Sequence, residues 1–262
     1  MMHLSVAHRS ERGGRQANED SVGFCGNETL GCFVMADGAG GHRGGALASE
    51  TVVKKVLSYF STTPVVDPGA AGELITVARE ALADVRQQHP EHPEMNTTIA
   101  SLIVDTEQGL AYWSYLGDSR IYLFRSGRAR CLTTDHSVLQ SMIDAGIFSG
   151  SLRGNCKRNM LYAAVGCESV PDHAIREEPL SLQTGDIFLL CSDGLWENIS
   201  EEIMETTLRE AETPEQWIDS MMAQLPDPAA PDLDNYSALA VFIEGDDKGM
   251  TTRTQWIPPL NS

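Results

Sequence analysis

Apolar residues along this chain follow two periods, and the order of these periods predicts the arrangement of its elements. Short apolar runs predict β-strands at residues 3–8, 21–25, 30–36, 97–105, 110–116, 120–125, 129–133, 175–181, 186–191 and 237–244. Helical spacing predicts helices at 45–60, around 74–85 and at 137–145, and two more that begin at Ser200 and Thr213. Strands, a helix pair, many strands, a second helix pair and a last strand favour a layered α+β fold over alternating βαβ units.

Two stretches interrupt this pattern. Residues 147–160 are rich in Gly, Ser, Arg and Asn, a composition typical of a mobile surface flap. The residues after Gly245 are predicted to form a poorly ordered tail. The chain contains no internal repeat and no linker long enough to divide it. We therefore expect one domain at residues 1–245 and a short C-terminal tail at 246–262.

Composition narrows the possible classes of function. The net charge of −18 argues against a nucleic-acid substrate, because a surface that binds nucleic acid should be basic. No segment approaches the ~20 apolar residues of a membrane span, and the N-terminus lacks the pattern of a secretory signal. The six cysteines show neither a Cys-x-x-Cys pair nor zinc-like spacing, so we interpret them as reduced thiols. A cytoplasmic protein fits these observations best.

The stretch from Phe33 to His42 carries the first chemical signal. Its apolar run ends on Asp37, and Gly38 follows at once. A carboxylate at the end of a buried strand is held rigidly, and glycine lets backbone carbonyls approach whatever that carboxylate binds. Three further aspartates lie in comparable junctions, namely Asp118, Asp193 and Asp234. We predict that these four carboxylates converge on one cluster of divalent cations.

Oxygen ligands of this kind suit Mg²⁺ or Mn²⁺. One carboxylate can bridge two such ions ~4 Å apart, and a water held between them becomes a hydroxide nucleophile near neutral pH. The natural use of that chemistry is hydrolysis of a phosphate ester, for which an arginine must also hold the phosphate oxygens. Arg15, four residues before Glu19, is the candidate. From the residues alone, however, Asp118 and Asp234 also fit turn positions, and Arg15 also fits an ordinary surface arginine.

Seven short motifs together carry a resemblance to a known family. In chain order they are Arg15-x-x-Asn18-Glu19-Asp20, Asp37-Gly38-x-Gly40-Gly41-His42, Asn96-Thr97-Thr98, Gly117-Asp118-Ser119-Arg120, Asp135-His136-Ser137, Ser192-Asp193-Gly194-Leu195 and Asp234-Asn235. Each motif is weak by itself, but seven in order over residues 15–235 are a strong signal. The chain resembles the PP2C-type (PPM family) metal-dependent protein serine/threonine phosphatases of the compact bacterial kind.

The resemblance implies a metal centre with two catalytic ions, Mn²⁺ or Mg²⁺. Asp37 would bridge the two ions, and the Gly38 carbonyl would join it. Asp193 and Asp234 would hold the first ion. Glu19 would contact the second ion through water.

The resemblance also implies a third ion, a substrate contact and a fold. Asp118, together with Asp193, would hold a third ion of the kind seen in bacterial members. Arg15 would bind the phosphate of the substrate. The implied fold is a four-layer αββα sandwich, in which two antiparallel β-sheets are flanked by helix pairs. That fold agrees with the order of elements predicted above.

The implied enzyme hydrolyses phosphoserine and phosphothreonine in proteins by a metal-bridged hydroxide. Its expected partner is a phosphorylated protein in bacterial signalling, either a cognate Ser/Thr kinase or that kinase's target, and we expect a monomer. The alternative is a catalytically silent PP2C-like module that binds or scaffolds other proteins. A silent relative usually lacks a metal carboxylate, whereas Asp37, Asp193 and Asp234 are all present, as is Arg15. This completeness favours the enzyme.

One position departs from the family pattern. Animal members have a histidine directly after the Asp-Gly pair, which is proposed as the general acid, whereas this chain has Ala39. Bacterial members commonly have methionine there. His42 lies three residues further on and is not assumed to replace the acid. The donor of a proton to the leaving group therefore has no assignment from the sequence.

Overall fold

The chain forms two antiparallel β-sheets that pack face to face, with helices on both outer surfaces, in a computed structural model. The structure describes residues 1–40, 42–67, 69–147, 160–168, 171, 174–175, 178–227 and 230–245, without the side chains of residues 42 and 43. The strands are β1 Met2–Glu11, β2 Asp20–Gly26, β3 Leu30–Ala39, β4 Asn96–Thr97, β5 Ile99–Asp105, β6 Leu110–Leu116, β7 Arg120–Arg125, β8 Arg128–Cys131, β9 Leu180–Ser181, β10 Ile187–Cys191 and β11 Tyr236–Gly245. The helices are α1 His42–Thr62, α2 Ala70–Gln88, α3 Val138–Asp144, α4 Asp193–Trp196, α5 Glu201–Glu210 and α6 Pro214–Met222.

The four layers follow from the pairing of the strands. One sheet has the order β1-β11-β10-β7-β8, and the other has the order β2-β3-β5-β6-β9, with β4 paired to the end of β3. Helices α1 and α2 cover the outer face of the second sheet, and α5 and α6 cover that of the first. The predicted α+β class and αββα layering are confirmed. Among the described residues, no helix has both the length and the apolar character that crossing a membrane requires.

Strand β3 shows why the core strands are continuous apolar runs. Cys32, Val34 and Ala36 face the helix layer, whereas Phe33 and Met35 face the other sheet. Successive side chains of a strand point to opposite faces, and both faces of this strand are buried. The chain must therefore supply an apolar residue at every position, and the strand is rigidly held at its centre.

Most predicted elements are confirmed. Strands β6 and β7 coincide with the predictions at 110–116 and 120–125. Helices α5 and α6 begin after Ser200 and Thr213, whose hydroxyl oxygens each accept a hydrogen bond from the backbone N–H three residues on. These N-caps are local interactions, which explains why the sequence pattern located both helix starts.

The larger differences between prediction and structure concern β3, the strand predicted at 175–181 and α4. Strand β3 does not end before Asp37 but continues to Ala39, because Gly38 and Ala39 pair with β4. Of the strand predicted at 175–181, residues 176 and 177 lie outside the described residues, and the others form an isolated bridge at Ile175 and the short strand β9. Helix α4 was not predicted, since four residues are too few to show a helical period. Most of the predicted flap and the whole predicted tail lie outside the described residues.

Phe33 provides a test of the packing between the sheets. Its side chain is fully buried in the inter-sheet core and stacks on Phe24, with ring centroids 6.2 Å apart. Phe33→Ala should lower the free energy of unfolding by about 3–5 kcal/mol, because the truncation leaves a cavity between two rigid sheets. Urea unfolding followed by circular dichroism measures the loss. Phe24→Ala removes the same group at a partly exposed position and should cost clearly less; equal losses would contradict this packing.

Candidate metal centre

One pocket lies where strands of both sheets end. Its volume is about 570 Å³, and it contains every site residue predicted from the sequence. These residues are Arg15, Glu19, Asp37, Gly38, Asp118, Asp193 and Asp234. The structure thus brings together positions that are widely separated along the chain. Their roles as metal or phosphate ligands stay predictions.

Antiparallel pairing explains why these carboxylates meet. In an antiparallel pair, the C-terminal end of one strand lies beside the N-terminal end of its neighbour. Asp20 begins β2 and stands directly opposite Asp37 of β3. Asp118 follows β6 and Asp193 follows β10, whereas Asp234 precedes β11, the antiparallel neighbour of β10. Strand direction therefore delivers all five side chains to the same end of the sandwich.

The backbone of Asp37 is fixed by two threonines. Its N–H donates to Thr98 Oγ1 at 2.8 Å. Its carbonyl accepts from the Thr98 N–H at 2.8 Å and from Thr97 Oγ1 at 2.9 Å. In the sequence, these threonines mark only the start of a predicted strand. In the structure it holds Asp37 in place at the edge of the pocket.

Glycine is required where Glu19 lies beside the end of β3. The Gly38 N–H donates to the Glu19 carbonyl at 3.1 Å. A Cβ atom on Gly38 would lie 2.1 Å from the Gly45 carbonyl oxygen, and a Cβ on Gly45 would lie 2.0 Å from Glu19 Oε2. The Glu19 carboxylate therefore packs against bare backbone, an approach that any larger residue would prevent.

Asn235 attaches the Arg15 loop to the start of β11. Its Oδ1 accepts from the Glu19 N–H at 2.8 Å, and its Nδ2 donates to the carbonyls of Arg12 and Ala17 at 2.7 and 2.9 Å. The side chain thereby uses both ends of its amide to satisfy loop backbone groups. Sequence reasoning placed Asn235 in a motif but assigned it no role, because its partners lie at the other end of the chain.

Arg15 and Asp234 form an ion pair in the pocket. Arg15 Nη2 donates to Asp234 Oδ2 at 2.6 Å. The Arg15 side chain is 55% exposed and that of Asp234 is 30% exposed, so the pair is open to solvent. An exposed pair of this kind contributes little to stability, which leaves the guanidinium free to exchange partners.

The pocket concentrates negative charge in a buried space. The pKa of Asp37 lies well above its ordinary value, and burial is the largest cause. The neighbouring carboxylate of Asp20 is the next largest cause. The carboxylates of Asp193, Asp118 and Asp234 raise this pKa further. Burial followed by Asp118 likewise raises the pKa of Asp193. Protons or cations must offset this repulsion, because like charges in a poorly solvated space destabilise one another.

Asp20 lies next to the pocket, opposite Asp37. Its Oδ2 accepts from Ser192 Oγ and Ser237 Oγ, each at 2.7 Å. These bonds tie the start of β2 to the segments that carry Ser192 and Ser237. Its Oδ1 is buried and has no hydrogen-bond partner among the described residues. Burial, partly offset by the two serines, raises the pKa of Asp20 to about 6.

The donor set fits hydrated divalent cations. Within the part of the chain that the structure describes, no three His, Cys, Asp or Glu side chains stand together as a finished coordination shell. The carboxylates instead surround a common space, and one buried oxygen lacks a donor. Mg²⁺ and ions like it keep several waters and use few direct carboxylate ligands. We therefore consider the pocket suited to such ions.

Ala39 lies exposed at the rim of the same pocket. Its methyl group cannot donate a proton to a leaving group. The side chain of His42 lies outside the described residues. The proton donor thus stays without an assignment in the structure, as it does in the sequence.

Comparison with known proteins yields one family and many relatives. The sequence model of the family described as Protein phosphatase 2C matches residues 8–235. The serine/threonine phosphatase stp of Listeria welshimeri is 31% identical over 216 residues, which are 79% of this chain and 83% of that protein. The serine/threonine protein phosphatase PstP of Mycobacterium tuberculosis is 33% identical over 217 residues, which are 81% of this chain and 40% of PstP.

Solved structures share the same fold. The catalytic domain of PstP, solved in complex with two manganese ions, has a TM-score of 0.74 and 26% identity, and the match covers 94% of this chain and 100% of that chain. PppA, described as a key regulatory component of the T6SS in Pseudomonas aeruginosa, has a TM-score of 0.72 and 26% identity, covering 93% of this chain and 100% of that chain.

The raised pKa of Asp118 predicts a pH dependence of stability. Burial, then the neighbouring Asp135, raises this pKa from 3.8 to about 7, so the folded protein binds the proton more tightly than the unfolded chain. With a chelator present, stability should therefore fall as the pH rises through this interval. Asp118→Asn should reduce the slope by about 1 kcal/mol per pH unit, as measured by urea unfolding at several pH values.

Asp84→Asn is the matched control for this measurement. Asp84 is exposed on α2, so the substitution should leave the slope unchanged. A wild-type slope in Asp118→Asn would contradict the inferred environment of Asp118.

Proposed function

This chain belongs to the protein phosphatase 2C family, and from that premise we propose that it is a metal-dependent phosphatase that removes phosphate from serine and threonine residues of proteins. One observation carries the proposal. Asp37, Asp118, Asp193 and Asp234 share a single pocket with Arg15, and that pocket suits divalent cations. The related phosphatases stp and PstP support the same class of substrate.

We assign two catalytic ions, Mn²⁺ or Mg²⁺, to this pocket. The two manganese ions in the related PstP domain support the assignment. Asp37 and the Gly38 carbonyl would hold both ions, Asp193 and Asp234 would hold one, and Glu19 would reach the other through water. When bound, the ions would activate water for attack on phosphorus and neutralise charge on the phosphoryl group.

The protein's own residues set the geometry of this reaction. Thr97 and Thr98 fix the backbone of Asp37, and Gly38 lets Glu19 approach it closely. A site that holds its charged groups in advance needs little rearrangement when the reaction occurs. The rigid end of β3 supplies this preorganisation.

Arg15 would bind the phosphate of the substrate. Its guanidinium lies in the pocket, is more than half exposed and contacts only the carboxylate of Asp234 among the hydrogen bonds described. A guanidinium can bind two phosphate oxygens at once. It would also offset the repulsion between a phosphate group and the carboxylates around it.

The proposed setting is bacterial signalling in the cytoplasm. The described cysteines, Cys25, Cys32, Cys131, Cys167 and Cys191, are all free, as is typical of reducing compartments. The substrate would be a phosphorylated protein, either a cognate Ser/Thr kinase or its target. We propose a monomer, since the protein's own helices cover the outer faces of both sheets.

Asp37→Asn tests the proposed reaction. With Mn²⁺ present, this variant should hydrolyse p-nitrophenyl phosphate and a phosphothreonine peptide slower by roughly two orders of magnitude or more, because the central ligand of both ions is lost. Phosphate release measures the rate. Asp84→Asn makes the same chemical change on the surface of α2 and should keep wild-type activity. Wild-type activity no greater than that of Asp37→Asn would instead favour a silent binding module.

Arg15→Lys tests the phosphate contact. Lysine keeps the charge but cannot bind two oxygens in one plane, so the KM for a phosphopeptide should rise roughly tenfold. Steady-state kinetics with Mn²⁺ measure kcat and KM separately. Arg9→Lys is the matched control, because Arg9 forms a similar pair with Asp219 outside the pocket, at 3.1 Å. Equal kinetics for the two variants would overturn this role.

A further inference from the structure

Several residues with no assigned role form hydrogen bonds with the turn that carries Asp118. We propose that Trp196 is a positioning residue that holds Asp118 in place relative to Asp193, and that Arg120 and Asp135 hold the Trp196 ring in turn. The inference rests on the proposed function, and in particular on the third ion that the resemblance to the PP2C family implies between Asp118 and Asp193, because its consequence is the affinity for that ion.

Trp196 links two parts of the pocket directly. It lies on α4, the short helix that begins at Asp193, three residues further along. Its indole Nε1 donates to the backbone carbonyl of Asp118 at 3.0 Å. The helix that carries one carboxylate thus holds the backbone of the other. If this bond were absent, the turn after β6 would lose its described contact with α4.

Arg120 fixes the orientation of that indole ring. Its guanidinium carbon lies 3.4 Å from the centroid of the Trp196 ring. Its Nε and Nη2 donate to the two oxygens of Asp135 at 2.9 and 2.8 Å, and its Nη1 donates to the Tyr122 hydroxyl at 3.0 Å. The guanidinium is always charged, and its two bonds to Asp135 fix where that charge lies. A fixed cation above the ring favours one ring position through a cation–π interaction.

The residues on either side of Asp118 are held as well. The ring nitrogen Nδ1 of His136 accepts from the backbone N–H of Gly117 at 3.1 Å. The backbone N–H of His136 donates to the Gly117 carbonyl at 2.9 Å. Ser119 Oγ lies 2.7 Å from Thr98 Oγ1, the atom that also accepts from the Asp37 N–H. Trp196 completes this set, because it holds the one carbonyl between these two contacts.

Such restraint has a physical purpose. Asp118 and Asp193 are both buried and line the same pocket, so their carboxylates repel each other when charged. Flexible side chains on a flexible turn would move apart, and a cation would then have to draw them together at a cost in affinity. Residues behind a metal ligand commonly contribute in this way, and their loss weakens metal binding roughly 10–100-fold.

Trp196→Phe tests the inference because it keeps an aromatic ring on α4 but removes the indole N–H together with part of the ring, a loss of volume that the control below shares. In calorimetric titration of the full chain with MnCl₂, the binding step that Asp118→Asn weakens should also weaken roughly tenfold in Trp196→Phe, while the other steps stay unchanged. Arg120→Lys should weaken the same step, because lysine cannot pair with both oxygens of Asp135. The double variant should lose less than the sum of the single losses, since both residues act through one ring.

Trp217→Phe is the matched control. The Trp217 indole donates to the Met204 carbonyl at 3.1 Å, the same kind of bond, but in the outer helix layer. This variant should keep the wild-type Mn²⁺ isotherm. Melting temperatures in chelator separate positioning from folding: Trp196→Phe should lose no more stability than Trp217→Phe.

Each outcome bears on a different claim. A wild-type Mn²⁺ isotherm in Trp196→Phe overturns the inference and leaves the proposed function intact. Equal weakening in Trp217→Phe, or equal weakening of every binding step in Trp196→Phe, also overturns it. If the wild-type chain binds no Mn²⁺, the proposed function fails together with the inference.

Discussion

Repulsion among clustered carboxylates, three of them buried, is the constraint on which the rest of this structure depends. Asp20, Asp37, Asp118, Asp193 and Asp234 meet at one end of the sandwich, and burial together with their neighbours raises the pKa of Asp37. Separate side chains would relieve this repulsion by moving into water. Here the backbone that carries them is held by hydrogen bonds and by strand pairing, so the charge has to be offset within the pocket. Divalent cations are the ions that such an arrangement suits.

The four-layer fold provides the rigidity that this requires. Core strands such as β3 are buried on both faces, between the helices on one side and the opposite sheet on the other. Close packing of this kind allows little movement of the strand ends. The ends then carry the polar contacts, in which Thr98 and Asn235 connect segments far apart in the chain. The centres of the strands therefore provide the apolar packing, and their ends carry the polar residues of the site.

Local patterns in the sequence predicted a large part of this architecture. The apolar runs located β6 and β7, and the capping residues Ser200 and Thr213 located two helix starts. The spacing of apolar residues did not predict α4, because that helix is very short. It also placed the end of β3 too early, because pairing with β4 extends this strand. The resemblance to the PP2C family was correct, since the family match spans residues 8–235. The motifs named the candidate ligands but not the residues that hold them.

The sequence by itself determined which residues form strands and helices and which carboxylates were available for a metal site, because period and residue chemistry act over a few neighbouring positions. Only the tertiary structure decided that Asp20 stands opposite Asp37, that Asn235 holds the Arg15 loop and that Trp196 reaches the carbonyl of Asp118. These contacts join positions that are distant in the chain. Their geometry depends on which strands become neighbours and on the direction in which each strand enters the sandwich, and patterns over a few neighbouring residues do not specify how segments far apart in the chain come together.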